Sequence, residues 1–352
     1  MAVTLCGTRE MRVNRVGLVL VAVLFAGLVA PMWVDTANGQ RRRVSKLRLG
    51  TVAPKNSVYH EKLLEMRDRW REISGGAVDL AVYPGGVAGD EVTMLRKIRA
   101  GQMQAALISG SGMSFLDEGI SALQVPLMFE SLEEFDYVLR KVAPTLERRL
   151  QEKGFSVIGW GDAGWAYFFS VREFRTPEDL RGMKLYTSKG DDDMLRLYDE
   201  FGFRAVPLDF TELQTNLETG LVDVFAVPPL IAAGYQWFGS APYMLDLRFV
   251  PIVGGLLVAQ ESWDAIPEDQ RAEMKRVASE MTEVIESSVR AQEEAAIREM
   301  GKYGLKVVEI GEAGLLEWRR EIDAAFPGLR DRYAPGEMLD EVVRLRTEYR
   351  AR

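Results

Sequence analysis

Residues 95–109 read LRKIRAGQMQAALIS, and residues 213–227 read LQTNLETGLVDVFAV. Each is a helical segment, a glycine that can end it, and an apolar strand. A unit of this kind occurring twice points to two similar α/β lobes, so we read the chain outward from both copies.

In the first half, KLRLGTVA (46–53) alternates apolar and polar residues and reads as a strand ending at Pro54. Ser57 can cap the next helix, whose Tyr59, Leu63, Met66, Trp70 and Ile73 recur at spacings of four and three along one apolar face. Gly75 and Gly76 end it. The strand AVDLAVY, a helix over 90–100 and the strand QAALIS complete a β-α-β-α-β series, the unit of a doubly wound sheet. In the second half, Thr176 caps a short helix with Pro177 at its first position, Asp179 facing its dipole and Gly182 at its end. There follow the strand MKLYTS, a helix through Leu195, Tyr198 and Phe201, the strand FRAVPL, a helix over 211–219 and the strand LVDVFAV.

Between the halves, Ser131 and Glu134 form a capping box that opens a helical hairpin running to Gly154, before the strand FSVIGW. After them come the strand VPIVGGLLVAQ (250–260) and one helix from Pro267 to about Gly304. At ~1.5 Å per residue that helix measures about 55 Å, longer than one lobe is wide. The strand LKVVEI and a charged helical region close the chain. No low-complexity segment or Pro/Ser-rich linker separates the halves, so crossing strands are expected to join them.

The 352 residues suffice for two cores, and 47% hydrophobic with 27% charged residues is an ordinary globular balance. A net charge of −8, with Arg41, Arg42, Arg43, Lys46 and Arg48 as the only dense basic run, argues against a nucleic-acid partner. Residues 16–34 are uncharged and apolar and follow Arg12 and Arg15, so 1–39 reads as an export signal cleaved near Ala37 to Gly39, or as an uncleaved inner-membrane anchor. The sole cysteine, Cys6, precedes this run, which excludes disulfides and thiol catalysis from the mature region.

Catalytic and metal motifs are sparse. His60 is the only histidine, in the first turn of a helix with no GxSxG nearby, and reads as a cleft-rim residue within reach of a ligand. Asp191, Asp192 and Asp193 read as a solvated helix N-terminus rather than a metal site. GGVAG at 85–89 lacks the lysine of a phosphate loop and reads as turn geometry. No catalytic residue, metal or cofactor is expected.

The segments LRLGTVAPKNSVYHEKLLEM, VYPGGVAGDEVTMLRKIRAGQMQAALIS, TPEDLRGMKLY, GLVDVFAVP and ESWDAIPEDQR, in this order over roughly 46–310, resemble the solute-binding subunits of tripartite ATP-independent periplasmic (TRAP) transporters. The resemblance implies a two-lobed periplasmic-binding-protein-like fold, type II-like, joined by crossing strands and the long spanning helix. It implies no enzymatic activity: a periplasmic receptor closes on a small solute and passes it to membrane permease subunits. It divides the chain into lobe I (46–163 plus 252–290), lobe II (164–251 plus 291–330) and a C-terminal helical extension (331–352).

The family commonly grips a carboxylate with an arginine following its DLxGxK motif, where this chain has Tyr186. A second family arginine corresponds to Trp165 or Ala166 in GDAGWAYFFS, and a family asparagine to Val227. With the polar clamps replaced, the expected solute is more apolar or aromatic than the usual small carboxylate, enclosed by Trp165, Tyr167, Phe168, Phe225, Tyr235 and Trp237. Lys184 shares the Tyr186 face and could meet an anion. Ser57, His60 and Ser109 complete the candidate site. The rival readings are a receptor reporting to a membrane sensor, an exported hydrolase with paired carboxylates about 5–10 Å apart, and an anchored interaction protein.

Overall fold

Ser57 caps the helix Val58–Ile73, its side chain accepting the His60 amide, and the buried face carries Tyr59, Leu63, Met66 and Trp70. Burying each such side chain is worth about 1.5–3 kcal/mol. The computed structural model describes residues 45–352; the expected export segment and Cys6 lie outside the described residues. Among the described residues, no helix is long and apolar enough to cross a membrane.

The described residues form ten strands in chain order: β1 (Ser45–Thr51), β2 (Val78–Tyr83), β3 (Ala105–Ser109), β4 (Phe155–Ser170), β5 (Lys184–Ser188), β6 (Arg204–Leu208), β7 (Val224–Val227), β8 (Tyr243–Leu245), β9 (Val250–Ala259) and β10 (Lys306–Val308). They pair in the order β2-β1-β3-β9-β4-β7-β5-β6, with β8 joining β4 to β10. In the first lobe β2, β1 and β3 run parallel and β9 closes against β3 antiparallel. In the second lobe β6, β5 and β7 repeat this arrangement, with β4 antiparallel to β7. The sequence repeat is therefore a structural one, in a two-lobed α/β fold.

Strand β4 joins the lobes. From Phe155 to Ala166 it pairs with β9, and from Tyr167 onward with β7 and β8. The expected strand FSVIGW is thus only the first part of a sixteen-residue strand. A glycine of that first part serves packing: a Cβ on Gly159 would lie 2.8 Å from Thr282 Cγ2 on the spanning helix. Register shifts between Val157 and Gly159 and between Asp162 and Trp165 mark the bend.

The spanning helix, Glu268–Lys302, is 35 residues long. Near its start the carbonyl of Met274 accepts the Trp70 indole N–H at 3.0 Å, and near its end Glu293 accepts the Tyr167 hydroxyl at 3.0 Å. The hairpin expected before Gly154 is instead a single helix, Leu132–Glu152, with Pro144 inside. Its buried stripe through Phe135, Val138, Val142, Leu146 and Leu150 runs past the proline, and that continuous apolar face outweighs one lost backbone hydrogen bond. The C-terminal helix Gly336–Arg350 packs on it, Arg350 pairing with buried Glu134 at 2.6 Å.

Candidate functional site

The carboxyl ends of β1, β3, β5 and β7 converge on a cavity of about 210 Å³ between the lobes. That exceeds an apolar cavity of about 150 Å³ able to hold benzene. Thr51 to Ala53, Leu107 to Ser109, Tyr186, Ser188, Ala226 and Val227 come from these strand ends, and the Asp162 bend, Val253 and Ile285 complete the wall. Open α/β sheets bind ligands at this end.

The lobes touch around the cavity. The Tyr235 hydroxyl donates to the Val52 carbonyl at 2.5 Å, and a Cβ on Gly234 would stand 2.7 Å from Pro54 Cγ. Gly86 (φ +73°) donates its amide to the Thr51 carbonyl at 3.0 Å and faces Thr211 of the other lobe. GGVAG is accordingly turn geometry, its Gly85, Gly86 and Gly89 all at positive φ.

Of the residues singled out from sequence, Tyr186, Val227 and Ser109 line the cavity. Tyr186 is 7% exposed, its hydroxyl 3.1 Å from Ser188 Oγ, and burial raises its pKa. The aromatic cage is not formed by the rings named for it. Trp165 is buried at the β4 bend, its amide 3.4 Å from Glu293, and the Tyr167 hydroxyl bonds the same carboxylate. Phe168 packs in the second-lobe core among Phe174, Phe249 and Trp318. Phe225 stacks on Phe169, and Tyr235 on Trp237 at 4.8 Å. Phe210 meets Tyr235 and Trp237 edge-on and is the ring of that stack that reaches the cavity. Strand β4 is covered on both faces, so alternation does not separate its cleft side from its core side.

Lys184 lies at the amino end of β5, bonded to the Gly220 carbonyl and 3.6 Å from Asp223, at the opposite end of the strand from the cavity. Ser57 serves its own helix, donating to the Pro54 carbonyl at 2.6 Å, and His60 Nδ1 accepts the Asn56 amide at 3.2 Å. Neither lines the cavity.

Sequence reasoning missed the carboxylates. Asp90, Glu91, Asp162 and Asp191 line the cavity, and Lys189 is the one cationic residue among the lining side chains described. Asp191 corrects the reading of 191–193 as solvated. It is 7% exposed and caps the helix Asp192–Glu200 by accepting the Met194 amide, while Asp193 is equally buried and accepts the Ser121 hydroxyl at 2.9 Å. Burial pushes the Asp191 carboxyl up to about 7. Glu91 accepts both the amide and the hydroxyl of Ser109 at 2.6 Å; burial raises its pKa while those bonds pull it back. The signal available was position: Asp90 and Glu91 follow the turn after β2, and Asp191 the turn after β5, both at carboxyl ends of strands.

Asp162 is balanced. Arg290 on the spanning helix contacts Asp162, Asp136 at 2.6 Å and Glu286 at 3.0 Å. The three carboxylates lie within 4.8 Å of one another, a spacing that would suit a cation, and the guanidinium already fills that role.

A cleft at the carboxyl ends of two matched lobes, bridged by a crossing strand and a spanning helix, defines a two-lobed solute receptor. The family model for bacterial extracellular solute-binding proteins, family 7 (DctP), matches residues 49–328, and the chain belongs to that family. The chain is 25% identical over 219 residues to the 2,3-diketo-L-gulonate-binding periplasmic protein YiaO of Escherichia coli, covering 62% of this chain and 65% of that relative. It is 18% identical over 266 residues to the sialic acid-binding periplasmic protein SiaP of Vibrio cholerae, covering 74% and 82%. Among solved structures, the sugar acid binding protein DctPAm of Advenella mimigardefordensis, in complex with galactonate, superposes with a TM-score of 0.81 at 18% identity, covering 87% of this chain and 99% of that one. A TRAP periplasmic solute-binding protein of Shewanella oneidensis with bound succinate gives 0.80 at 14% identity, covering 86% and 99%.

Proposed function

We propose that this chain is a periplasmic receptor that closes its two lobes on one small organic solute and delivers it to the membrane permease subunits of a TRAP transporter. The cavity between lobes already in contact carries this reading. Family membership supports it. The moving bodies are lobe I, residues 46–163 plus 252–290, and lobe II, residues 164–251 plus 291–330, with the solute bound and released unchanged.

The solute has a substantial apolar face. Relatives carry names or bound ligands that are acids, yet no arginine is among the described residues lining this cavity. Its walls are mainly aliphatic, through Leu107, Val227, Ile231, Ile252, Val253 and Ile285, with Tyr59 and Phe210 beside Tyr186 where the cage of Trp, Tyr and Phe rings was expected. Losing a charge-assisted hydrogen bond to a carboxylate forfeits about 1.5–3 kcal/mol. Apolar burial at about 25 cal/mol per Å² recovers that with roughly 60–120 Å². Scattering with and without solute tests the receptor: binding should contract the particle, and a bound solute that leaves it unchanged would count against closure.

One observation favours a second reading, hydrolysis, because Glu91 and Asp191 both line the cavity. Recovery of the bound molecule separates the two: a receptor returns it intact after prolonged incubation, whereas a hydrolase returns its fragments.

A further inference from the structure

Carboxyls from both lobes line the cavity, interspersed with the hydroxyls of Thr51, Ser109, Ser111, Tyr186 and Ser188. The first lobe contributes Asp90 and Glu91, and the second contributes Asp191. Lys189, the one cation among the described lining residues, has a side chain 68% exposed and stands 3.8 Å from Asp209. Arg290 balances Asp162, and among the described residues the other three have no buried cation beside them.

Nor does the scaffold turn these carboxyls away. Ser109 fixes Glu91 through both its amide and its hydroxyl. Asp191 is held by the Met194 amide at 3.0 Å, at a helix N-terminus whose dipole favours a negative charge. A second observation is independent of charge: Tyr59 lines the cavity, is 7% exposed, and its hydroxyl has no hydrogen-bond partner. Buried hydroxyls are normally paired, so this one awaits a polar group from outside the chain.

Where Glu91 and Asp191 are ionised, an anion entering here would meet like charges with no buried counter-ion among the described residues, a cost that grows as water leaves the cleft. An ammonium would find carboxylates on both lobes, and its attraction would exist only when the lobes are together. We infer that the solute is a small organic cation whose ammonium group sits between Glu91 and Asp191 while its apolar body lies against Leu107, Val227, Ile252 and Ile285. The inference rests on the receptor reading above and fixes the charge of its ligand. It also couples recognition to closure, because neither lobe alone supplies both carboxylates.

The test uses the full chain, freed of bound solute, and calorimetry with three probes of one shape: phenethylamine, 2-phenylethanol and 3-phenylpropionate. Galactonate and succinate are run beside them. The amine should bind about tenfold or more tighter than the alcohol, with the carboxylate weakest. Asp191→Asn, which keeps a good helix cap, should lower amine affinity about ten- to hundredfold and leave the alcohol nearly unaffected. Glu91→Gln should act in the same direction, its melting temperature checking that the Ser109 contact still folds.

Tighter binding of galactonate, succinate or phenylpropionate, with contraction in scattering, would overturn the cation assignment and leave the receptor standing. If none of the five binds, the molecule that co-purifies decides: a cation upholds the inference, and a neutral or anionic compound overturns it. No binding and no co-purifying molecule would remove both.

Discussion

Tyr235 and Val52, one in each lobe, are joined by a 2.5 Å hydrogen bond from the tyrosine hydroxyl to the valine carbonyl, and neighbouring Val52 atoms form part of the cavity wall. The Tyr235 ring is held by stacking on Trp237, so the bond is a latch on a rigid mount. It exists only with the lobes together. Tyr235→Phe should therefore raise the dissociation constant for the solute about two- to twelvefold, the effect of about 0.5–1.5 kcal/mol. The melting temperature of the unliganded protein should hardly move.

Gly234 offers the opposite manipulation. A Cβ there would lie 2.7 Å from Pro54 Cγ, and a proline ring has little freedom to yield. Gly234 is the last residue of the helix Pro229–Gly234, where alanine is no worse a helix former. Gly234→Ala should leave unfolding unchanged or slightly harder, yet hold the lobes apart. Small-angle scattering should report a larger radius of gyration in the presence of solute than for the unaltered chain.

At the hinge, Arg290 balances Asp162, which is 4% exposed. Arg290→Met leaves that carboxylate buried without its cation, at a cost of about 3–5 kcal/mol near pH 8. Burial already raises the Asp162 pKa with the arginine present, and Glu286 beside it is pushed up to about 7. In the variant the protonated carboxyls are the favoured forms, so stability is greatest at acid pH and is lost as pH rises through their folded pKa values. Denaturant midpoints for the two proteins should therefore converge toward pH 5.

Asp191, its carboxyl near 7 through burial, makes the cleft itself pH-sensitive. Its folded pKa lies above the ordinary carboxylate value, so its contribution to stability is complete below about pH 4 and is lost as pH rises through 7. The charged groups facing it are Glu91 and Asp193; the Met194 amide and Ser111 donate to it, and Tyr186, Tyr198 and Tyr333 lie close. Asp191→Asn should flatten the stability profile between pH 4 and 7 by up to a few kcal/mol. A cationic solute should lower the carboxyl pKa and release protons on binding at pH 6, whereas an anionic one should take them up. Calorimetry in buffers of different ionisation enthalpy reads that sign directly.

The fold was legible because period and punctuation agreed. Tyr59, Leu63, Met66 and Trp70 repeat at helical spacing before Gly75, and LRKIRAGQMQAALIS and LQTNLETGLVDVFAV each deliver a strand to the equivalent place in its own lobe. Strand β4 was legible only to Trp160, since Gly161 and Gly164 interrupt the apolar run that continues it, and Gly164, at positive φ, lies against Glu293 of the spanning helix, far away in sequence. The site divided along the same line. Tyr186, Val227 and Ser109 end strands whose carboxyl ends face the cleft, and the structure places them on its lining. Trp165, Tyr167, Phe168 and Phe225 occupy strands buried on both faces, where an aromatic residue carries no sign of which side it fills. Asp191 misled for a different reason: an aspartate at a helix start looks solvated until the opposing lobe, carrying Glu91, covers it.

The most direct measurement is mass spectrometry of the small molecule that leaves the purified full chain on denaturation. A near-stoichiometric organic cation with an apolar body is the predicted result, and it would name the solute class. A stoichiometric dicarboxylate or sugar acid would contradict the charge assigned to the cleft, and the absence of any small molecule, with no binding in titrations, would contradict the receptor itself.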